Sequence, residues 1–263
     1  MKISIITACY NSEKTIEDTI KSVISQKQGD IIEYILVDGG STDSTMQIVE
    51  KYKEHFACIV SEKDNGISDA FNKGIKIATG DIIGLINSDD VLYDGSIEKL
   101  IENFDPEIDV YYGDKLVIDR VITSRSYQKA GRLEEIKYSL PFCHQSCFIS
   151  KKCYEKFGLY SMEFKCCMDF ELLLKMFKGN AKFKYIPYPF CEFSLGGASD
   201  SFRTMKEVYS ISRNQGLPKI NAIIYYLKCV IRTTTKIMLV KTNLLNFARK
   251  IRHKPGINYD TNY

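Results

Sequence analysis

The sequence predicts an α/β fold with a mostly parallel, twisted sheet flanked by helices, followed by a C-terminal helical extension. Short apolar runs alternate with helix-periodic segments over roughly the first ninety residues, as in doubly wound sheets. The chain has 263 residues, of which 44% are hydrophobic, enough for one large domain with an appendage. The extension is set apart by its charge, because Phe202 to Lys254 contains many Lys and Arg residues and a single acid, Glu207.

Four strands and three helices are predicted in the alternating part. The strands are almost wholly apolar, as strands covered on both faces are, and comprise Lys2–Cys9, Ile31–Val37, Ala57–Val60 and Asp81–Ile86. The helices repeat apolar residues at helical spacing and comprise Glu13–Gln26, Thr45–His55 and Ile67–Ala78. Asn11 or Ser12 is expected to cap the first helix.

After Tyr93 the regular alternation ends and shorter elements are predicted. They are a helix at Ser96–Asn103, a strand at Val110–Ile118, a loop at Asp119–Arg132, a helical turn at Leu133–Lys137, a loop at Pro141–Ile149 that leads into a strand, a helix at Lys151–Phe157 capped by Ser150, a helix at Phe170–Phe177, and short strands at Phe183–Pro189 and Phe190–Leu195. The glycine pair in Leu195–Ser199 is a candidate hinge, with a simple turn as the alternative.

Polar side chains follow three of the predicted strands where each strand ends. Tyr10 follows the first, Asp38 the second, and Asp89 with Asp90 the fourth. Ligands of such sheets bind beyond the carboxyl ends of the strands, so we expect these side chains to converge. Adjacent carboxylates repel each other, and bound Mg²⁺ or Mn²⁺, completed by water and substrate phosphates, would relieve that repulsion. The alternatives are an acidic turn for the acid pair, a helix cap for Asp38 and a packed loop aromatic for Tyr10.

The helical extension is predicted to be amphipathic and basic. Asn221–Val240 is apolar but is interrupted at fourfold spacing by Lys228, Arg232 and Lys236, and a basic run at 249–254 follows. This pattern is typical of a helix that lies on an anionic lipid surface. Packing on the domain or against a second copy in a homodimer is the alternative. Residues 255–263 are expected to be a disordered terminus.

Composition and motifs exclude several classes of protein. A net charge of +3 argues against a nucleic-acid binder. There is no Gly-x-Gly-x-x-Gly after the first strand and no P-loop, which argues against nicotinamide, flavin and P-loop enzymes. The nine cysteines show no zinc-type pairs, and the N-terminus reads as a strand with no signal-peptide pattern. Free thiols in a reducing cytosol are therefore expected, and no uninterrupted apolar stretch predicts a membrane-spanning helix.

Three segments together resemble one enzyme family. ITACYNSEKTIEDTIKSVISQ, ILVDGGSTDST and DNGISDAFNKGIKIATGDIIGLINSDD are similar in order and spacing to family 2 glycosyltransferases with the GT-A fold. The similarity is dense over Met1–Tyr93, scattered through Leu195 and absent beyond. It implies transfer of a sugar from a nucleotide diphosphate donor, with inversion at the anomeric carbon and usually with Mn²⁺ or Mg²⁺. It also implies a catalytic domain at 1–200, with a nucleotide-sugar half at 1–93 and an acceptor half at 94–200, before the tail at 201–254.

The resemblance assigns donor-binding roles residue by residue. Tyr10 would lie against the base, as an aromatic face can, and Asp38 would accept a hydrogen bond from a base N–H. Asp69 would hold the donor near its ribose or diphosphate. Asp89 and Asp90 match the family's DXD element, which places the metal on the diphosphate. Asn87 stands where relatives often carry the first Asp of that element, and many relatives carry Asn there.

The resemblance also points to the acceptor side. His144, in a His-Gln pair, would lie near the sugar pocket, and a hydrogen bond to a backbone carbonyl is an equal alternative. Asp169 matches the acid that serves as catalytic base, since an inverting transfer needs one base for the acceptor hydroxyl. A plain acid at a helix start, favoured by the helix dipole, is the alternative, and Glu171 is the second candidate for the base.

Together these features predict a cytoplasmic, metal-dependent inverting glycosyltransferase of bacterial polysaccharide assembly, peripheral at the inner face of the cell membrane. The donor is expected to be a UDP-sugar and the acceptor a saccharide, carried on a polyprenyl lipid. A non-catalytic nucleotide-sugar-binding protein would lack the acid pair or the base, which are present here. A nucleotidyltransferase would need a Gly-rich, Lys/Arg-bearing phosphate loop after the first strand, and residues 10–14 do not provide one.

Overall fold

A computed structural model describes residues 1–27, 31–119, 124–194 and 202–241. The nine strands of the sheet are β1 Ile3–Cys9, β2 Ile32–Asp38, β3 Cys58–Ser61, β4 Ile82–Asn87, β5 Val91–Leu92, β6 Val110–Asp119, β7 Ser124–Gln128, β8 Cys147–Ser150 and β9 Phe183–Ser194. The α-helices of these residues are α1 Ile16–Ile24, α2 Thr45–Glu50, α3 Ile67–Ile77, α4 Ser96–Glu102, α5 Lys151–Phe157, α6 Met168–Lys178, α7 Phe202–Asn214 and α8 Lys219–Lys241. Short 3₁₀ helices occur at Lys53–His55, Leu133–Lys137 and His144–Ser146.

The sheet is parallel in its N-terminal half and mixed in the remainder. Its order is β3-β2-β1-β4-β8-β6-β9-β5, with β7 paired to β6. The first four strands pair in parallel, whereas β8 runs antiparallel between β4 and β6. The register sets Cys9 opposite Asp38, Asp38 opposite Ser61, and Ala8 opposite Asn87. The carboxyl ends of these strands therefore meet at one edge, as the α/β prediction requires.

Two hydrophobic clusters flank the sheet, because successive side chains of a strand point to opposite faces. Ile5 of β1 packs in one cluster with Ile20 of α1, and Ile6 packs in the other with Phe71 of α3, all of them 0% exposed. Full burial of such a side chain contributes about 1.5–3 kcal/mol. Helix α3 lies directly on β1, since a Cβ added at Gly74 would come within 2.5 Å of Ile6 Cγ2. That close packing holds the second half of α3 against the middle of β1.

The structure corrects several expected boundaries. Strand β7 lies inside the stretch 119–132 that was expected to be a loop; its five residues, SRSYQ, are polar because an edge strand need not bury both faces. The first helix begins at Ile16, after Thr15, which makes no side-chain cap. Asn11 and Ser12 do not cap it, because Asn11 Oδ1 accepts from Thr42 N and Ser12 Oγ bonds Ser88 Oγ.

Two further predicted elements, the strands around the prolines and the helix after Cys167, have different bounds in the structure, and one predicted helix cap is confirmed. The two short strands predicted around the prolines form one strand, β9, which pairs with β6 through a register shift near Asp114. The cap of α5 by Ser150 is confirmed, since Ser150 Oγ accepts from Cys153 N at 3.2 Å. Helix α6 begins at Met168, two residues before the predicted start.

Some predictions fall outside the described residues. These are the Leu195–Ser199 glycine loop, the basic run at 249–254 and the C-terminal segment 255–263. Within the part of the chain that the structure describes, no helical stretch combines the length and apolar character needed to cross a bilayer.

Candidate active site

Tyr10 presents an open aromatic ring at the end of β1. The chain turns immediately after it, because Asn11 adopts a left-handed φ of 48°, a conformation that Asn tolerates better than most residues. That turn is held from the loop after β2, where Ser41 Oγ accepts from Asn11 N at 2.8 Å and Thr42 N donates to Asn11 Oδ1 at 2.9 Å. The Tyr10 side chain is 61% exposed, so its ring is free to stack on a planar ligand.

Asp38 ends β2 and is fully buried, at 0% exposure. Its carboxylate accepts from Gly40 N at 3.2 Å and from Ser61 Oγ at 2.7 Å. Ser41 donates to it through both its backbone N–H and its hydroxyl. These donors belong to the chain itself and tie the loop after β2 to β3. Contact with a nucleobase would require one of them to move, and that role for Asp38 stays a prediction.

A second carboxylate at this edge, Asp64, escaped the sequence interpretation. Gly39 is held at the end of β2 by a hydrogen bond from its N–H to Cys9 O at 2.9 Å. A Cβ added at Gly39 would lie 2.5 Å from Asp64 Oδ2, so Asp64 fills the space that a side chain at 39 would take. Its Oδ1 accepts from Gly66 N at 2.9 Å. The sequence feature that could have indicated this contact is Gly39 itself, because a glycine directly after a strand-end acid leaves space for a side chain from another segment.

The acid pair after β4 divides into a buried and an exposed member. Asp90 is 2% exposed, and its Oδ2 accepts from Gln145 Nε2 at 2.7 Å and from Asn87 Nδ2 at 3.2 Å. Its Oδ1 accepts from Ser194 N at 3.3 Å. Burial, with the nearby charge of Asp89, raises the pKa of Asp90 to about 7. Asp89 is exposed, so its oxygens are the more accessible of the pair.

The residues at the end of β4 fit a divalent cation. Asn87 Oδ1 is, among the described residues, the one buried side-chain nitrogen or oxygen without a hydrogen-bond partner. An oxygen left in that state is destabilising unless a ligand uses it. In the same described part of the chain no three His, Cys, Asp or Glu side chains gather into a metal cage. Mg²⁺ and Mn²⁺ sites on nucleotides often use only one or two protein carboxylates, with phosphates and water completing the shell. Asp89, Asn87 and Asp90 are the residues that would hold the ion.

Asp69 lies in the first turn of α3 and stays ionised. Its Oδ2 accepts from Asn65 N at 3.1 Å and Asn65 Nδ2 at 3.2 Å, and Lys73 Nζ lies 3.6 Å away. The backbone hydrogen bond from Asn65, with the charge of Lys73, lowers the pKa of Asp69. An ionised carboxylate accepts from ribose hydroxyls but repels a diphosphate. Of the two predicted contacts, the ribose is the one this charge favours.

Asp169 lies in the first turn of α6, and His144 lies beside it in the interior. Asp169 Oδ1 accepts from Phe170 N at 2.7 Å. Burial raises the pKa of Asp169, and the nearby imidazole of His144 opposes that rise. Burial lowers the pKa of His144, whose Nε2 is 3.0 Å from the Tyr160 hydroxyl. This hydroxyl takes the place of the backbone carbonyl considered as a partner. At 7% exposure, His144 is buried, and its place near a sugar pocket stays a prediction.

The adjacent pair His144–Gln145 brings the two groups of acids into one site. Gln145 donates to Asp90, and its neighbour His144 interacts electrostatically with Asp169. Gln145 was not singled out as a site residue, because nothing in its local sequence indicates a contact with a residue 55 positions away. Glu171, the second candidate for the base, is half-buried, and burial raises its pKa against the opposing charge of Lys175.

The match to a family model is decisive for the class of protein. The model of glycosyl transferase family 2 covers residues 4–158, more than half of the chain. The chain belongs to glycosyl transferase family 2. This family 2 glycosyltransferase is therefore an enzyme, as the sequence segments around Tyr10, Asp38 and Asp89 predicted.

Relatives and solved structures agree with this assignment. A "PGL/p-HBAD biosynthesis glycosyltransferase" of Mycobacterium bovis is 28% identical over 185 residues, which cover 68% of this chain and 70% of the relative. TarS 1–349 of S. aureus, in complex with UDP-GlcNAc, has a TM-score of 0.63 at 19% identity, covering 88% of this chain and 72% of TarS. The mannosyltransferase PcManGT of Pyrobaculum calidifontis, in complex with GDP-Man and Mn²⁺, has a TM-score of 0.66 at 17% identity, covering 97% and 81%. At these identities the structural likeness establishes the GT-A fold.

Proposed function

We propose that this family 2 glycosyltransferase moves a sugar from a nucleotide diphosphate donor, a UDP-sugar, to a saccharide acceptor carried on a lipid, with inversion, in cell-surface polysaccharide biosynthesis. The observation that carries the proposal is the link from Asp90 through Gln145 and His144 to Asp169. It joins an acid pair suited to a metal–diphosphate with a half-buried acid suited to proton transfer. Residues 1–93 would bind the donor, and residues 94–200 the acceptor.

Asp169 is the proposed general base of the transfer. The acceptor hydroxyl oxygen forms a bond to the anomeric carbon while the bond from that carbon to the diphosphate oxygen breaks. The hydroxyl proton goes to Asp169, and the nucleoside diphosphate leaves with the electron pair. Burial raises the pKa of this carboxyl, which makes it a stronger base than a solvated Asp. His144 lies beside this carboxyl and opposes the rise in its pKa, which favours the ionised form that accepts the proton.

The remaining side chains of the edge would bind and orient the donor. Tyr10 stacks on the base, and Asp69 accepts from the ribose hydroxyls. Asp64, whose Oδ2 lies against the bare backbone of Gly39, is the proposed acceptor for a base N–H, while Asp38 holds the loop. A divalent cation, Mn²⁺ or Mg²⁺, bound at Asp89 would supply Lewis-acid stabilisation of the leaving diphosphate. PcManGT in complex with GDP-Man and Mn²⁺ supports a metal, and TarS with UDP-GlcNAc supports uridine.

A surface on α8 supports a site for the lipid-linked acceptor. Five large apolar side chains recur at spacings of three, four or seven residues and are 47–67% exposed: Ile220, Ile224, Leu227, Ile231 and Met238. We call them the α8 stripe. Lys219 and Lys228 are exposed on the same helix, and α8 contains no acid. We propose that the tail, 201–254, rests on the anionic inner face of the cell membrane, with pairing to a second copy as the alternative outcome.

Two substitutions separate the proposed chemistry from donor binding. Asp169→Asn keeps the shape of the side chain but cannot take the proton, so turnover should fall at least about 10²-fold with nucleotide and Mn²⁺ affinity unchanged. Asp89→Asn should lower both turnover and Mn²⁺-dependent nucleotide binding. Turnover is measured as product formed from a panel of nucleotide sugars, and affinity by calorimetry.

Four outcomes would contradict the proposal. Full activity of the wild-type protein in EDTA would show that transfer does not depend on a metal ion. Near wild-type turnover of Asp169→Asn would move the base to Glu171. Binding of nucleotide sugars without hydrolysis or transfer of any donor in the panel would favour a non-catalytic binding protein. Release of pyrophosphate from a nucleoside triphosphate and a sugar phosphate would favour a nucleotidyltransferase.

A further inference from the structure

One carboxylate of the helical extension reaches the segment just before Asp169. Glu207, on α7, accepts three hydrogen bonds from consecutive backbone N–H groups: Oε1 from Lys165 at 3.0 Å, and Oε2 from Cys166 at 2.8 Å and Cys167 at 3.0 Å. The segment is tied to α7 a second time, since Cys167 Sγ donates to Thr204 O at 3.6 Å. Glu207 is the only acid between Phe202 and Lys254, so no neighbour on that stretch of chain could replace it.

Of these three bonds, the one from the Cys167 N–H serves the start of α6, and the other two hold the chain that leads into it. Cys167 is the residue that precedes the helix, and its own side chain makes no cap. The backbone N–H groups at a helix start need partners from elsewhere, and a charged acceptor binds them more strongly than a neutral one. Asp169 follows Cys167 by two residues, so the position of its carboxyl depends on this segment.

We propose that Glu207 is a positioning residue for Asp169, through which the helical extension holds the catalytic carboxyl in place. The inference rests on the proposed role of Asp169 as base. It also makes α7 part of the catalytic unit, although the family model ends at residue 158.

Charge gives Glu207 a second effect on Asp169. Among the residues that the structure describes, the titratable groups that interact with Asp169 include His144, Cys147, Tyr160, Cys167 and Glu207. Burial raises the pKa of the two thiols and of Tyr160, which are therefore neutral at pH 7. His144 lowers the pKa of Asp169, whereas the charge of Glu207 adds to the rise that burial causes.

The test uses two variants of the full chain that separate hydrogen bonding from charge. Glu207→Asp keeps the charge but shortens the reach, so kcat should fall about ten- to hundred-fold while the acid limb of the pH–rate profile stays in place. Glu207→Gln removes the charge and at least one N–H acceptor, so kcat should fall and the acid limb should move to lower pH.

Two controls accompany these variants. In both Glu207 variants, the calorimetric affinity for UDP should match that of the wild type, which shows that the donor half is folded. Glu163 is an exposed carboxylate before the same segment. Glu163→Gln is therefore the matched control and should change neither kcat nor the acid limb of the pH–rate profile.

A double-substitution cycle decides whether Glu207 acts through Asp169. In an Asp169→Asn background, Glu207→Gln should produce almost no further loss of turnover. Unchanged kcat and pH profile in both Glu207 variants, or an equal loss in the Asp169→Asn background, would overturn the positioning role and leave the proposed base untouched. Wild-type turnover of Asp169→Asn alone would instead overturn the proposed base, and the positioning role with it.

Discussion

At the scale of single residues, two carboxylates at the carboxyl edge of the parallel strands differ in what they contact. Asp38 is fully buried and bonded to its own loop, whereas Asp64 lies over Gly39 with Oδ2 against bare backbone. The space over Gly39 is therefore already used by a side chain from another loop. A change at either Gly39 or Asp64 should affect the same function.

Gly39→Ala tests that dependence without altering any polar group. Gly39 has no positive φ, so the backbone accepts alanine, but its Cβ would meet Asp64 Oδ2 at 2.5 Å and displace the carboxylate. We expect UDP affinity to fall by about 1–3 kcal/mol, the usual penalty for an unpaired buried donor, and Asp64→Asn to show the same fall in calorimetry. Glu62→Gln is the control, because Glu62 is exposed and pairs with Lys73. Wild-type UDP affinity in both Gly39→Ala and Asp64→Asn would refute the role of Asp64.

At the scale of elements, α8 exposes several large apolar side chains to solvent. A patch of this kind is typical of a surface that binds a membrane or a partner. The α8 stripe lies beside exposed lysines, and α7 packs on α8 through the Tyr209–Tyr226 ring pair at 5.9 Å. Each cation near an anionic surface contributes about 1 kcal/mol and is screened by salt, while each buried apolar side chain adds about 1.5–3 kcal/mol.

Leu227→Gln combined with Ile231→Gln should therefore weaken binding to anionic vesicles, measured by co-sedimentation. Wild-type binding should also fall steeply as salt rises. Ile77→Gln, which removes an isoleucine that is 40% exposed on α3, should leave binding unchanged. Equal sedimentation of the double variant and wild type would reject the membrane contact. A change from dimer to monomer in the double variant, without vesicle binding by either protein, would assign the stripe to a second copy.

At the scale of the whole molecule, hydrogen bonds join residues 1–93 to residues 94–200. Asn72 of α3 donates from Nδ2 to Tyr160 O at 2.8 Å and accepts from Tyr160 N at 2.9 Å. Lys165 Nζ donates to Asn65 O at 3.1 Å, and Gln145 reaches Asp90. With β8 inserted beside β4, the two halves share one sheet, and we expect them to unfold together.

Asn72→Ala should lower the free energy of unfolding by about 2–4 kcal/mol, because it leaves two buried backbone groups of Tyr160 unpaired. Urea unfolding followed by circular dichroism and by tyrosine fluorescence gives this value, and both probes should report one transition in wild type. Asn103→Ala, which removes a single part-buried hydrogen bond to Lys99 O at the end of α4, should lower it by only about 1 kcal/mol. Two separated transitions in wild type would contradict the coupling of the halves.

The sequence predicted the parallel half of the fold well, because strands buried on both faces are apolar along their whole length. It missed β7, whose polar residues carry no such signal. The strand ends pointed to Tyr10, Asp38 and the acid pair, since each follows an apolar run directly. The contacts that complete the site could not be predicted, because Gln145 and Glu207 act on residues that are distant in the chain and contacts of that kind leave no local pattern.

The place of β8 in the sheet has a consequence for synthesis of the chain. Strand β4 pairs with β1 on one side, and its other side is closed by Phe148–Ser150. Until that segment has left the ribosome, the apolar stretch Ile82–Ile86 presents unpaired backbone groups, which are a template for pairing with another chain. A nascent or truncated product that ends near Tyr93 would therefore contain the motifs for donor binding and an open sheet edge at the same time, and it is the form of this enzyme most prone to aggregate.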